Sequence, residues 1–477
     1  MSTELNAGHG VVHTPASVSA ASVAPTIQDL KDAGIKHIRF YWVEPTNIVR
    51  LRILPISYFE KLIKSTRPGI GVPKVTGGFV FLSAAEGYGS AGEYLLVPDL
   101  SSLKITPYAP GHASVMGWFE EKDPFVGPDG QLSVKVPMCP RSTLRDLVEI
   151  AKQDGIEFIV GYENEFTFLV STEPVTPGNI HQYTDARGLI PSLRETQCLE
   201  EIVNSLVDSG VHVETWHGEA GPGQYEISTG PLGPIEATDT LIHTRQTIIN
   251  IAAKHGLHAT FAPRISMSAP GSAAHMHISV HKTGHDKPKD GLSDIESSFL
   301  AGVMDELTAL PAFSLPIPAS YRRVVDGAWS GGTYVAWGTE NRECPIRLSN
   351  ATSPRSRNFE MRFIDGTANP YLILACVIGL GYAGIKSKRQ LRQQNFDKNF
   401  GPAQLTEEER QAMGVTQRMP LTWEEGRGNL EQSEVLRDIL GSSFVDRYLS
   451  VNKVLARELG IYDDEEQKAL KRLVEFC

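Results

Sequence analysis

Four short stretches of this chain put metal-binding side chains at every second residue. They are Glu163-Asn164-Glu165, Gln224-Tyr225-Glu226, His275-Met276-His277-Ile278-Ser279 and Glu360-Met361-Arg362. Residues two apart in a β-strand share a face. If all four are strands, Glu163 lines up with Glu165, His275 with His277 and Ser279, and Glu360 with Arg362. Phe166, Met276, Ile278, Phe359, Met361 and Phe363 then take the opposite face. Such a sheet is apolar outside and crowded with carboxylates inside. Carboxylates are not buried together without cations. A lone Glu-x-Glu or His-x-His is ordinarily a solvated strand face. The coincidence of four segments is what points to a site for more than one metal ion.

The charge balance suggests how many. Glu163, Glu165, Glu219, Glu226 and Glu360, with Arg362 nearby and His275 neutral, set five negative charges against one positive and leave −4. A pair of divalent cations neutralises that, and Mg²⁺ or Mn²⁺ suits carboxylate oxygens with one imidazole better than zinc does. Arg322, Arg323, Arg342, Arg347, Arg355, Arg357 and Arg362 are available to hold phosphate or carboxylate groups. Two cations edged by arginines point to phosphoryl transfer. The sequence has no GxxxxGK[ST]. Its GxGxxG, at Gly379, Gly381 and Gly384, lies inside the apolar run 371–385 and reads as close helix packing, not a dinucleotide turn.

At 477 residues the chain suits two or more domains, and its net charge of −11 argues against broad nucleic-acid binding. The five cysteines are scattered without a CxxC pair, as in a reduced, cytoplasmic protein. The run 371–385 is shorter than the roughly 20 residues that span a bilayer. Asn369-Pro370 gives it a helix start, so a buried helix is expected and no membrane contact. Residues 1–25 read as a flexible tail, 26–130 as a small β-rich domain and 137–477 as a catalytic domain. Within the last, helices are expected at 140–154, 193–209 and 237–255, each stopped by a glycine, and strands at 156–170, 211–216 and 223–229. On 193–209, Leu199, Ile202, Val203, Leu206 and Val207 form the expected buried stripe. The fold class is α+β.

The motifs together resemble the glutamine synthetase family. The pieces are Gly161-Tyr162-Glu163-Asn164-Glu165, His217-Gly218-Glu219-Ala220-Gly221-Pro222-Gly223-Gln224-Tyr225-Glu226, Pro270-Gly271-Ser272-Ala273-Ala274-His275-Met276-His277-Ile278-Ser279, Asn341-Arg342 to Arg347, and Glu360-Met361-Arg362 running into Ala368-Asn369-Pro370-Tyr371. The resemblance implies a β-grasp N-terminal domain and a catalytic domain with a curved antiparallel sheet and flanking helices. It implies Glu165, Glu219 and Glu226 as ligands of the metal nearer glutamate, and Glu163, His275 and Glu360 as ligands of the metal at the ATP phosphates. Arg323 and Arg362 match the arginines that hold glutamate, with Gly271 in the glutamate loop. Arg342 and Arg347 match those facing the transferred phosphate and ATP. His277, Ser279 and Arg355 fall on the nucleotide side. The family forms stacked rings, dodecamers or decamers, with active sites between neighbouring subunits. The implied chemistry is activation of glutamate as γ-glutamyl phosphate, then displacement of phosphate by an amine.

The pattern breaks at the amine end. Family members that use ammonia carry a glutamate six positions after the first glutamate-binding arginine; that position is Trp329 here. Their Asp-Gly-Ser-Ser loop corresponds to Gly71-Val72-Pro73-Lys74-Val75-Thr76-Gly77-Gly78, which has no acid. The expected function is therefore a glutamate–amine ligase that takes an organic amine packing against Trp329. The alternatives are a true glutamine synthetase and a non-catalytic ring-forming scaffold or sensor.

Overall fold

The computed structural model describes residues 11–21, 24–127, 130–285, 287–288, 290–459 and 466–477. Of the expected tail, 1–10 and 22–23 lie outside the described residues. Within it, Pro15–Ala21 forms a helix with Val18 buried.

The first sheet has six strands. His37–Val43 pairs antiparallel with Val49–Pro55 and parallel with His112–Val126. Glu93–Ile105 joins His112–Val126 to the edge strand Ile70–Pro73, and Leu132–Lys135 pairs with the far end of His112–Val126. The sequence HIRFYWV explains how this sheet attaches to the rest of the molecule. Ile38, Phe40 and Trp42 enter a local core with Leu30, Phe59, Leu96 and Val115. Tyr41 and Val43, on the other face, enter the main core of the chain. The turn between the first two strands adds polar ties: Asn47 donates to the Gly366 carbonyl at 3.1 Å, and Asn369 donates to the Glu44 carbonyl at 2.7 Å.

The second sheet has nine strands built around the long strand Ile156–Thr172. Gln224–Leu232 lies on one side of it and Met276–Lys282 on the other, and Val213–Gly218 extends the sheet beyond Gln224–Leu232. Asn358–Met361, Ile346–Ser349 and Trp337–Thr339 continue it beyond Met276–Lys282. The expectation of an antiparallel sheet holds except at Trp337–Thr339, which runs parallel to Ile346–Ser349. The alternation read from sequence is realised: Phe166, Met276, Ile278, Phe359, Met361 and Phe363 are all buried. Phe158, Val160, Tyr162, Met276, Ile278, Phe359 and Met361 pack under Phe299, Leu300, Ile373 and Val377 from the helices Asp294–Asp305 and Pro370–Ser387. Phe166, Phe168, Tyr225 and Ile227 pack against Leu199 and Ile202 of Arg194–Asp208 and Ile248 of Pro234–Lys254.

Pro370–Ser387 is the one described helix with the length and hydropathy to cross a membrane, but 72% of it is buried in the protein, so it serves as the core helix. Its glycines do what close packing demands. A Cβ on Gly381 would lie 2.1 Å from the Phe299 ring, and one on Gly384 would lie 2.2 Å from the Ser298 carbonyl oxygen. On Arg194–Asp208 the expected stripe fails at one residue: Val207 is 56% exposed. Ser205, Leu206 and Ser209 around it are buried, so Val207 lies to the side of the buried arc, beyond half-buried Val203.

Candidate active site

Directly opposed residues on antiparallel strands meet side by side, so the register of the second sheet decides which polar groups converge. Glu226 lies opposite Glu165 and Ser228 opposite Glu163. His277 lies opposite Glu360, and Glu360 opposite Arg347. Two like-charged residues face each other, and a row His277–Glu360–Arg347 crosses three strands.

His275 sits just before the strand Met276–Lys282, where its carbonyl accepts the Glu163 amide at 3.1 Å. Its Nδ1 is 2.7 Å from Glu163, 3.6 Å from Glu165 and 3.5 Å from Glu360. Its Nε2 is buried and has no hydrogen-bond partner among the described residues. His277 Nε2 is 3.1 Å from the other Glu163 oxygen, and its Nδ1 is 2.8 Å from Asn358 Oδ1. Glu163, His277 and Glu360 offer ligand atoms that all lie within 4.8 Å of one another, and so do His217, Glu219 and Glu226. These groups add His277 and His217 to the expected triplets: His275 is itself 2.7 Å from Glu163 and 3.5 Å from Glu360, and Glu165 stands opposite Glu226. His217 was not among the expected ligands. It lies two residues before Glu219 and opposite Glu226 in the hairpin, so the same alternation could have found it.

The surroundings hold these carboxylates in place. Gln224 Nε2 donates to Glu165 at 3.2 Å, to the Gly271 carbonyl at 3.2 Å and to Ser272 Oγ at 3.0 Å. The Ala273 amide also donates to Glu165, at 2.8 Å. The loop 271–273 is thus tied to a carboxylate of the cluster. Ser228 donates to Glu226 at 2.8 Å. The Glu219 carbonyl accepts the Tyr183 amide at 2.7 Å.

Burial and mutual repulsion set the protonation. Burial, reinforced by Glu219, pushes Glu165 up to about 8, and burial with Glu163 and Glu165 pushes Glu226 up to about 9. Burial also works to raise Glu163, but its hydrogen bonds to His275 and His277 outweigh that and hold it well below the usual carboxylate range. Burial opposes charge on His277, yet Glu163 and Glu360 carry it up to about 9. Burial, then Arg362, push His275 down to about 4. Glu360 is lowered: burial raises it, and His275 and Arg362 prevail. Metal-free, the cluster relieves its charge by protonating two carboxylates and one imidazole.

Cations bound by these groups must displace the two carboxyl protons and the proton on His277, because only a neutral imidazole can ligate. Cation binding at pH 7 is expected to release protons, and affinity to climb as pH rises through about 8 and 9. The sign follows from acids whose folded pKa is raised above 4.5: their stabilising protonated form is lost as pH rises, and a bound cation replaces it. Titration calorimetry in buffers of different ionisation enthalpy reads the released protons, and uptake instead of release would contradict this electrostatic picture.

The arginines divide sharply. Arg362 bonds Glu360, the Trp329 carbonyl at 2.8 Å and the Arg342 carbonyl at 3.2 Å. Arg347 meets the other Glu360 oxygen at 2.7 Å. Arg323 is buried, with its Nε and Nη1 lacking partners among the described residues. Gly271 lies against it, so close that an added Cβ would be 3.0 Å from Arg323 Cβ. Arg322, Arg342 and Arg355 are exposed. Arg357 does not join the site: its guanidinium pairs with Glu296 at 2.7 Å. It lies an odd number of residues from Glu360, on the helix-covered face. Ser279, on the site face, bonds His281 at 2.8 Å. Trp329 is 64% exposed.

The donor set fits divalent cations: several carboxylate oxygens, imidazoles flanking them, and a buried imidazole nitrogen without a partner. Residues 137–465 match the family described as glutamine synthetase, catalytic domain. The chain is 34% identical to the protein fluG of Emericella nidulans over 93% of its own length, but spans only 49% of that protein. It is 31% identical to a glutamine synthetase of Methanocaldococcus jannaschii, covering 91% of this chain and 94% of the relative. It is 30% identical to the gamma-glutamylpolyamine synthetase GlnA3 of Streptomyces coelicolor, covering 93% and 94%. A solved complex of GmaS with ADP shares the fold, with a TM-score of 0.77 at 21% identity over 93% of this chain and 98% of that one. By the catalytic-domain match and the near full-length relatives, this chain belongs to the glutamine synthetase family.

Proposed function

We propose that this chain is an ATP-dependent carbon–nitrogen ligase that activates glutamate as γ-glutamyl phosphate and joins it to an organic amine. The observation that carries the reading is a contrast. Glu163, Glu165, Glu219, Glu226, His275 and Glu360 gather on the sheet, while the residue six after Arg323 is an exposed indole, Trp329. Five mutually repelling carboxylates are costly to keep without cations to bind, which weighs against a scaffold freed from catalysis.

Glu163, His275, His277 and Glu360 would hold one cation, and Glu165, Glu219, Glu226 and His217 the other. Bound there, Mg²⁺ or Mn²⁺ supplies Lewis-acid neutralisation of phosphoryl oxygens. The residues of the chain do the rest. Arg347 and Arg362, anchored on the two oxygens of Glu360, are fixed before substrate arrives, so little reorganisation is left when charge develops on a transferred phosphoryl group. Arg342, exposed beside them, is free to approach that group. Arg323, with two unpartnered N–H groups, is suited to a substrate carboxylate beside Gly271. His277, Ser279 and Arg355 lie on the side assigned to ATP. The amine then displaces phosphate from the acyl group. The β-grasp reading of the first sheet, with its 71–78 segment completing a neighbour's site in a ring, belongs to the same proposal. The five free cysteines support a reducing compartment, the cytoplasm.

Arg323→Gln is expected to raise the glutamate KM about tenfold to a hundredfold, with a much smaller change in the ATP KM, as loss of a charge-assisted carboxylate contact should. Steady-state kinetics with each substrate varied decides this.

A glutamine synthetase using ammonia is the second reading, favoured by the comparable similarity to the Methanocaldococcus jannaschii enzyme. Phosphate release with ATP, Mg²⁺ and L-glutamate separates the two across ammonium, ethanolamine, diamines, polyamines and aromatic amines. Stimulation by an organic amine and not by ammonium is the expected result. Strong stimulation by ammonium alone would establish the second reading.

A further inference from the structure

Trp329 has two properties that rarely coincide. Its ring is 64% exposed, and its backbone has φ = +52°, a left-handed conformation that bulky residues seldom adopt. A strained backbone persists only where its surroundings impose it. Here the imposing group is Glu343. This side chain is buried, and its carboxylate accepts the Trp329 amide on one oxygen at 2.7 Å and the Gly327 amide on the other at 3.1 Å. Among the described residues no cation pairs with it. The Trp329 carbonyl is held from the opposite side by Arg362.

Glu343 is itself fixed. Its amide donates to Asn341 Oδ1 at 2.8 Å, and Asn341 donates to the carbonyls of Lys398 and Phe400 at 2.9 and 3.0 Å. Gly401 presses on it, so that an added Cβ there would lie 2.9 Å from Glu343 Cβ. Glycines give the loop its left-handed turns. Gly327, Gly331 and Gly332, with φ of +73°, +91° and +65°, flank Trp329. Smaller braces, Ser330 to the Val325 carbonyl at 3.0 Å and Thr333 to Asp326 at 2.7 Å, close the loop base but do not touch the tryptophan.

We propose that Glu343 is a positioning residue that fixes the backbone of Trp329, and with it the point from which the ring projects, and so determines which nucleophile reaches the acyl group. The inference rests on the reading of Trp329 as a wall of the amine site. A buried carboxylate capping two turn amides, two residues apart, is a rigid anchor, because withdrawing it strands both N–H groups. Anchored at its backbone, Trp329 projects its ring from a fixed point of the loop without a packed side-chain pocket. That suits a surface against which the apolar body of an organic amine can lie.

The test uses the full chain with Glu343→Gln and Glu343→Ala, and whichever organic amine most stimulates phosphate release. The amine KM is expected to rise about tenfold, with kcat held within about threefold and the glutamate and ATP KM values within about twofold. An unchanged amine KM, or a glutamate KM that rises in parallel, would overturn the proposal. The isosteric Glu343→Gln carries the test if Glu343→Ala does not fold. Failure of the function reading looks different: no organic amine stimulates the unsubstituted protein at all. The brace is then read from the fluorescence anisotropy of Trp329, taken as the difference from Trp329→Phe. Glu343→Gln should lower that anisotropy, and an unchanged value refutes the brace.

Discussion

Glu360→Gln is expected to reduce glutamate-dependent phosphate release about a hundredfold to a thousandfold, the scale seen when a preorganised electrostatic group is lost from an active site. The reason lies in what Glu360 holds together. Its side chain is fully buried, opposite His277 on one neighbouring strand and Arg347 on the other. One of its oxygens meets Arg362 and the other Arg347, while His275 lies 3.5 Å away. Loss of the charge removes a candidate cation ligand and frees two guanidinium groups at the same stroke. Glu360→Ala should do more damage, because breaking a buried ion pair from one side costs about 3–5 kcal/mol of stability. Thermal melting of both variants separates the effects. A glutamine variant that melts like the parent but has lost turnover has lost chemistry. A glutamine variant that retains turnover would remove Glu360 from the mechanism.

Trp329→Glu carries the second large effect, a change of nucleophile. A carboxylate at this position is what ammonia-using family members carry, and here it would ride on a backbone already fixed by Glu343 and Arg362. Ammonium needs an anionic partner; an organic amine needs an apolar surface for its carbon body. The ratio of kcat/KM for ammonium over that for the organic amine is expected to rise about a hundredfold, with contributions from both sides. The glutamate KM should stay near its original value. A variant whose ratio does not move would show that Trp329 is no part of the amine site.

Much of the site was legible because its organisation is local. Period-two alternation assigned Glu163, Glu165, His277, Glu360 and Arg362 to one face and Phe166, Ile278 and Met361 to the other. The core helix Pro370–Ser387 announced itself by Asn369-Pro370, and Asn369 does cap it, accepting the Leu372 amide at 3.1 Å. Arg357 could have been set aside by parity alone, since it falls on the face of Phe359 and Met361. What alternation could not supply was register. Which histidine stands beside Glu360, and which group joins Glu219 and Glu226, depends on how strands distant in sequence slide against each other. The Trp329 loop was least legible. Its shape is set by Glu343, fourteen residues on, and nothing in the local sequence says that this carboxylate turns inward to two amides. Val207 shows the same limit: the apolar stripe in the sequence is wider than the arc of the helix that its neighbours bury.

In the proposed reaction a glutamate carboxylate oxygen attacks the phosphoryl group before the amine attacks carbon. Glutamate carrying a heavy-oxygen label in its γ-carboxylate tests it, with ATP, Mg²⁺ and the preferred organic amine. One labelled oxygen is expected in the phosphate released for each γ-glutamyl amide formed, with none in the Glu360→Gln control beyond its residual turnover. Amide formation with unlabelled phosphate, or phosphate release without any amide, would contradict it.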